Sequence, residues 1–212
     1  MSDCCSNSCA GFDGASPAYR RVLWIVIALN AGMFIVEMLA GHLASSQALK
    51  ADALDFLADA ATYSLSLAVI GQPLIWRSRA ALLKGGSLAL MALWVLGSTV
   101  WQLLVLGRPE AQVMGFVGLL ALAVNMTSVL LLLRWREGDA NVRSVWLCSR
   151  NDAIGNVAVM LAALGVWGTG TVWPDLAVAA LMAGLFLISS VKILRQAAAE
   201  SASLAAPHPR AL

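Results

Sequence analysis

The stretch ADALDFLAD, residues 51–59, places three carboxylates at the head of an apolar run that continues to Gly71. At 3.6 residues per turn, Asp55 and Asp59 are i and i+4 neighbours and Asp52 lies one turn earlier, so the three acids share one face of a helix. The opposite face is Ala, Leu and Phe, which is typical of a membrane interior. Each acid near the bilayer centre costs roughly 2.5–3.5 kcal/mol on insertion scales. A bound cation, protonation or a basic partner on another helix must compensate that cost.

The composition indicates an integral membrane protein. Hydrophobic residues make up 60% of the 212 residues and the mean hydropathy is +0.78, whereas soluble domains have roughly 45–50% apolar residues. The formal net charge of +2 is small, and the basic residues lie between apolar runs rather than along one stripe. This pattern argues against a nucleic-acid partner.

Six apolar runs are long enough to cross a membrane, which takes about 20 residues for a hydrocarbon core of ~30 Å. We therefore predict an all-α, polytopic membrane protein built as a six-transmembrane-helix bundle. We assign residues 1–19 to a polar, Cys-containing leader, residues 20–195 to the membrane domain and residues 196–212 to a short cytoplasmic tail. The six runs are residues 22–44, 51–71, 80–107, 114–135, 145–168 and 176–194.

The distribution of basic residues predicts the orientation. Six crossings place both termini on one side, and Lys and Arg accumulate on the cytoplasmic side of membrane proteins. Only Lys50 and Arg108 fall on the side opposite the termini. We therefore expect both termini to be cytoplasmic in a multi-pass protein of a bacterial inner membrane. The terminal side holds Arg20, Arg21, Arg77, Arg79, Lys84, Arg134, Arg136, Arg143, Lys192, Arg195 and Arg210.

The fifth run carries a second polar face. In WLCSRNDAIGN, residues 146–156, the side chains of Cys148, Asp152 and Asn156 recur every four residues and share one side of the helix. Packing this face against the acidic face of the second helix brings Asp55 and Asp59 to Cys148 and Asp152. These four side chains are a ligand set of the kind that tetrahedral divalent-metal sites use.

Two simpler explanations of the acids stay open. The pair Asp55 and Asp59 could be protonated, or Arg150 could neutralise it. Arg150 lies two positions from both Cys148 and Asp152, hence about 160° around the helix from either, so it points elsewhere. We expect it to reach the membrane interface or an acid such as Glu137 or Asp139.

Other polar residues are predicted to support the site. Glu37 and Asn125 are expected to be hydrogen-bond partners of the ligands, with Glu37 a proton carrier as the alternative. Asn156 continues the ligand face, and Asp52 could assist metal exit. In the leader, Cys4, Cys5 and Cys9 could capture metal in the cytoplasm, although their spacing is not that of a defined zinc site.

The order and spacing of these motifs resemble the cation diffusion facilitator family. The resemblance rests on Asn30 with Glu37 and Gly41, on residues 51–59, on Leu147-Cys148-x3-Asp152-x3-Asn156, and on Pro174-Asp175. It implies export of divalent transition metals from the cytoplasm in exchange for protons, a homodimer, and an intramembrane site at Asp55, Asp59, Cys148 and Asp152. Two departures are Cys148 in place of the usual histidine and Asp55 where zinc exporters often have histidine. We also expect a short form without the family's C-terminal cytoplasmic domain.

The mixed donor set suits Zn²⁺ best, with Cd²⁺ and Co²⁺ next and Fe²⁺ and Mn²⁺ as further alternatives. The metal is cargo, and we expect no resident cofactor. An intramembrane aspartyl protease is disfavoured because neither Asp59 nor Asp152 lies in a Gly-x-Gly-Asp element, so we predict no enzyme. A membrane metal sensor or accessory subunit without transport stays open, and only the cysteine leader favours it.

Overall fold

Six α-helices build the described part of the chain, which in this computed structural model comprises residues 16–68, 74–105, 108–137 and 140–205. No strand occurs within these ranges, so the all-α prediction is confirmed. A single 3₁₀ turn, Leu133–Trp135, follows the fourth helix. The helices are α1 Pro17–Leu43, α2 Gln47–Ala68, α3 Leu74–Val105, α4 Ala111–Leu132, α5 Ala140–Thr169 and α6 Trp173–Ala205.

The beginning of α1 and the turn into α2 follow from local sequence chemistry. The Ser16 hydroxyl accepts a hydrogen bond from the Tyr19 N–H at 3.2 Å, and Pro17 occupies the first turn, where its missing N–H costs nothing. After α1, Ser45 adopts a left-handed backbone with φ of 53°. The chain thereby reverses within three residues, and the Ser46 hydroxyl accepts from the Leu49 N–H at 3.1 Å as α2 begins.

The helices pack as a four-helix bundle with a helix pair beside it. The most extensive contacts join α1 to α2, α4 to α5, and α3 to α6. Contacts of α1 with α4 and of α2 with α5 close the bundle, and α6 packs against both α2 and α5. With its further contact to α3, α2 therefore packs against four other helices.

Successive helices run antiparallel, which gives the bundle two distinct ends. At one end, the N-terminus of α2 meets Asp175 at the start of α6, and we call it the capped end. At the other end, Tyr19 near the start of α1 packs edge-on against Trp135, with ring centroids 5.7 Å apart. We call this the basic end, because the helices place there Arg20, Arg21, Arg134, Arg136, Lys192 and Arg195.

Five of the six helices of the described chain are long and apolar enough to span a membrane, and α2 is the exception. Its 22 residues reach about 33 Å at 1.5 Å per residue, so its length suffices. Its hydropathy is lowered by Lys50 and the three aspartates. Because α2 is enclosed by α1, α3, α5 and α6, these groups are shielded from lipid by protein, as intramembrane acids usually are.

The α6 helix is longer than its predicted apolar run. It continues to Ala205, and thus into residues 196–212, which were predicted to be a tail. This segment is rich in alanine, which has the highest helix propensity. Its backbone N–H groups can therefore continue the hydrogen bonding of the preceding helical turn. The helix therefore does not end where the hydropathy falls.

Candidate functional site

One cavity of about 440 Å³ brings together all four predicted metal ligands. Asp55 and Asp59 enter its wall from α2, and Cys148 and Asp152 enter from α5. Further residues of α2 and α5, Leu88 of α3 and α6 between Met182 and Ile193 complete the wall. The acidic face of α2 and the thiol-containing face of α5 therefore open onto the same space, as their helical spacing requires.

Asp59 is the most enclosed of the four, with only 8% of its surface exposed. Its carboxylate accepts a hydrogen bond from the Tyr63 hydroxyl, one turn further along α2. The same hydroxyl lies 3.3 Å from the Ser149 Oγ on α5. Tyr63 thus orients Asp59 at the interface of α2 with α5. Sequence reasoning missed Tyr63, although its i+4 spacing from Asp59 was a signal for this contact.

Asp152 meets Asp59 across the same interface. The two carboxyl groups lie within hydrogen-bonding reach, and Asp55 and Cys148 also act on Asp152 electrostatically. Ionised carboxylates only accept hydrogen bonds, so a contact between two of them requires a proton on one. A metal ion bound between α2 and α5 would take the place of that proton.

The four side chains line the cavity without converging on one point. Across the described residues, no group of three or more His, Cys, Asp or Glu side chains has the spacing of a formed metal site. Tetrahedral coordination needs donors at about 2.0–2.3 Å from one centre. Metal binding at this cavity would therefore bring these four side chains closer together.

Polar and charged side chains continue the cavity toward the basic end. Ser189 and Lys192 of α6 and Asn151 of α5 line it and are exposed. They mark where the cavity meets the surface. These three residues were not predicted, because each lies in an apolar or mixed run with no partner visible in the sequence.

The supporting residues lie deeper in the four-helix bundle. Asn30, Asp52 and Asn125 share with Asp55, Asp59 and Asp152 a narrow space that is too small to admit a water molecule. Glu37 is 0% exposed and Asp52 is 2% exposed. The carboxyl groups of Glu37 and Asp52 lie close together, yet neither Glu37 oxygen meets hydrogen-bond geometry with any described residue.

Asn156 is fully buried one turn beyond Asp152 on α5. Among the described residues, neither its side-chain oxygen nor its side-chain nitrogen has a hydrogen-bond partner. Asn156 thus lies one helical turn from Asp152, as its spacing in the sequence predicts. A role as hydrogen-bond partner to the ligands stays a prediction.

Arg150 lies outside the cavity. It is exposed, its guanidinium stacks over the Trp146 ring at 5.4 Å, and it donates a 3.5 Å hydrogen bond to Asn151. The expected contact with Glu137 is wrong, because Glu137 pairs with Arg136 at 3.5 Å, one residue away. The alternative partner Asp139, and the leader cysteines Cys4, Cys5 and Cys9, lie outside the described residues.

A hydrogen-bonded network closes the capped end. Asp175 accepts from the Ser46 hydroxyl at 2.6 Å and from the backbone N–H groups of Gln47 at 2.8 Å and Ala48 at 3.1 Å. The Gln47 side chain joins α2 to Ser98 and Gln102 of α3. Sequence reasoning noted Asp175 only as part of a motif, since its partner lies more than a hundred residues earlier.

Comparison with known proteins identifies the family. The model of the cation efflux transmembrane domain matches residues 76–200, which is more than half of the chain. The chain belongs to the cation diffusion facilitator family. Together with the apolar helices, this match makes it a multi-pass membrane protein of that family.

Relatives of this cation diffusion facilitator include one protein named for metal cation efflux and one named as a cation antiporter. The metal cation efflux system protein CzcD of Cupriavidus metallidurans is 28% identical over 187 residues, which cover 82% of this chain and 59% of the relative. A cadmium, cobalt and zinc/H(+)-K(+) antiporter of Bacillus velezensis is 26% identical over 199 residues, covering 85% of this chain and 62% of the relative. The chain therefore spans about three fifths of the length of these relatives.

Proposed function

We propose that this cation diffusion facilitator exports divalent transition-metal cations from the cytoplasm in exchange for protons. The observation that carries the proposal is the single cavity lined by Asp55, Asp59, Cys148 and Asp152. Three carboxylates and a thiol in the middle of a membrane bundle have little structural use without an ion to hold. Two relatives, one named for metal cation efflux and one named as a cadmium, cobalt and zinc/H(+)-K(+) antiporter, support the same function.

The exchange follows from the ligand chemistry. Thiol and carboxyl groups bind a divalent cation only when deprotonated, so metal entry releases protons and proton entry releases metal. Asp59 and Asp152 lie within hydrogen-bonding reach of each other, and the metal would replace the proton between them. One site thus serves both ions, but not at the same time, which is the requirement for antiport.

The shape of the bundle favours loading from the basic end. The cavity meets the surface near Lys192 on that half of the molecule, whereas the Asp175 network joins α2, α3 and α6 at the capped end. Basic residues face the cytoplasm in most membrane proteins. We assign the basic end to the cytoplasm and the capped end to the periplasm of a bacterial inner membrane.

Zn²⁺ is the cargo that the donor set fits best. A thiolate favours softer cations and carboxylates favour harder ones, so the mixture suits Zn²⁺, followed by Cd²⁺ and Co²⁺. One relative is named for cadmium, cobalt and zinc. The homodimer that the family resemblance implies stays a prediction.

Flux through proteoliposomes tests the proposal. Purified wild-type protein should drive uptake of Zn²⁺, Cd²⁺ or Co²⁺ that depends on an opposing pH gradient, with proton movement in the reverse direction. Asp59→Ala should abolish both fluxes, because the ligand that joins Tyr63 and Asp152 is gone. Glu110→Gln is the matched control, since Glu110 is an exposed acid that forms no side-chain cap hydrogen bond.

The same measurement separates transport from sensing. A sensor or accessory subunit would bind metal but move none, so binding without flux in the wild-type protein would overturn the transporter proposal. Full Zn²⁺ transport by Asp59→Ala would remove Asp59 from the site.

A further inference from the structure

A surface cavity of about 560 Å³ lies at the basic end, apart from the cavity of the four predicted ligands. Among the described residues, its lining combines exposed apolar side chains with two guanidinium groups. None of them lines the metal cavity, and no step of the proposed exchange uses them. The lining residues are Leu130, Leu133, Arg134, Arg136 and Glu137.

This surface cavity lies where the chain leaves the membrane. The apolar span that begins with α4 ends at Trp135, so Arg134 belongs to its last turn and Arg136 follows it. The helix tightens there into the 3₁₀ turn, and the Arg136 N–H donates to the Leu133 carbonyl at 3.4 Å. Side chains three residues apart eclipse one another in such a turn. Leu133 and Arg136 therefore lie on the same side of the chain, with Arg136 nearer the membrane surface.

An apolar stripe leads along α4 into the surface cavity. Met126, Leu130 and Leu133 recur at intervals of four and three residues, so they share one face of the helix. They are 46%, 63% and 40% exposed, which means that the other helices leave this face largely uncovered. In a bilayer its neighbours are acyl chains, and the stripe ends at the two arginines.

The polar part of the surface cavity carries an excess of positive charge. The Arg134 guanidinium carbon lies 5.8 Å from the centroid of the Trp135 ring, and a stacked guanidinium keeps its N–H donors available at its edge. Arg136 lies 3.5 Å from Glu137, but their side chains are 53% and 85% exposed, and pairs this exposed contribute little. Two arginines and one glutamate leave a net charge of +1 in the described lining.

The start of α1 adds positive charge at the same corner of the bundle. Tyr19 packs against Trp135, with ring centroids 5.7 Å apart, and the next two residues are the exposed Arg20 and Arg21. The first turn of α1 carries no acid to offset them. Clusters of basic residues at this level of a membrane attract anionic lipids.

We propose that the surface cavity binds an anionic phospholipid, with its phosphate at Arg134 and Arg136 and an acyl chain along Met126, Leu130 and Leu133. The planar fork of a guanidinium matches the geometry of a phosphate group. The apolar stripe favours a lipid over a soluble phosphate ester, because only a lipid would cover these side chains. The site goes beyond the proposed export function, since it shares no residue with the metal cavity.

Native mass spectrometry of the purified full-length protein counts bound lipids and tests the proposal. We expect the first dioleoylphosphatidylglycerol to bind more tightly than dioleoylphosphatidylcholine, which has the same chains but no net charge. Arg134→Gln and Arg136→Gln should each raise the Kd for phosphatidylglycerol by about fivefold. Glu137→Gln should lower this Kd, because it removes the carboxylate that repels the phosphate.

Arg195→Gln is the matched control. It removes one positive charge from an exposed residue at the same end that does not line the surface cavity, so we expect no change in the Kd. Equal affinity of the wild-type protein for the two lipids would overturn the proposal. An equal loss of affinity in Arg195→Gln and in both cavity variants would also overturn it, since the attraction would then come from the basic end as a whole.

Two further results separate a lipid site from the alternatives. Tighter binding by Glu137→Gln is a gain that misfolding does not produce, so it supports the site independently of the arginine variants. Excess glycerol 3-phosphate, which has the phosphate without the chains, should not displace phosphatidylglycerol. Displacement would assign the cavity to a soluble phosphate ester and overturn the proposal.

Discussion

Cys148 supplies the sulfur among the four side chains of the cavity, and its replacement should change selectivity more than rate. In Cys148→Ser a hydroxyl occupies nearly the same volume but is a far poorer ligand for soft cations. We expect the ratio of Cd²⁺ to Zn²⁺ transport to fall by about tenfold while Zn²⁺ transport persists. Competitive uptake of the two metals in proteoliposomes measures this ratio. An unchanged ratio would mean that the thiol does not touch the cargo.

Tyr63 acts on the site through Asp59. Its hydroxyl donates to the Asp59 carboxylate and lies against α5 near Ser149. Hydrogen-bond partners that orient a ligand typically contribute 10–100-fold to metal affinity. Tyr63→Phe keeps the ring in the core and removes only the donor, so we expect the Kd for Zn²⁺ to rise by about tenfold.

Isothermal titration of the purified protein measures the effect of Tyr63→Phe. Tyr19→Phe is a matched control, because Tyr19 is equally buried at the same end of the bundle but packs against Trp135, away from the cavity. Equal losses in both variants would assign the effect to general stability rather than to Asp59.

At the scale of the helices, Asp175 links the start of α6 to the start of α2. It accepts hydrogen bonds from two backbone N–H groups of α2 and from the Ser46 hydroxyl. Its negative charge also interacts favourably with the positive end of the α2 helix dipole. Loss of a helix cap costs about 0.5–2 kcal/mol, and 1 kcal/mol shifts the Tm of a chain of this size by about 2–4 °C.

We therefore expect Asp175→Ala to lower the Tm by about 1–8 °C. Thermal unfolding of the detergent-solubilised protein, followed by intrinsic fluorescence, measures this change. Glu110→Gln is the control at the same end, since Glu110 precedes α4 without a side-chain cap hydrogen bond. If the Tm fell equally in both variants, the hydrogen bonds of Asp175 would make no specific contribution to thermal stability.

At the scale of the whole molecule, the orientation of the bundle decides the direction of transport. Glu137 is exposed at the basic end and Thr171 is exposed at the capped end. In a variant whose four native cysteines are replaced by serine, we expect Thr171→Cys to react with a membrane-impermeant thiol reagent in intact cells. Glu137→Cys should react only after the membrane is permeabilised. The opposite pattern would reverse the proposed direction.

The six helices and the pairing of the two polar faces could be predicted from the amino-acid sequence. Hydrophobic length identifies membrane helices because the bilayer imposes a fixed thickness, and the i, i+4 spacing of Asp55 with Asp59 and of Cys148 with Asp152 fixes a shared face on each helix. These are local properties of the chain. By hydropathy alone α2 is not a membrane span, because its charged residues lower the average for the helix. Neighbouring helices shield these charges from lipid.

The contacts between residues distant in sequence became visible only in the packed bundle. It placed Tyr63 on Asp59, Asp175 on the N-terminus of α2 and Glu37 beside Asp52, and it moved Arg150 onto Trp146 instead of Glu137. Such contacts depend on how whole helices rotate and tilt against one another. That arrangement is set by packing summed over many side chains, so no short stretch of sequence contains it.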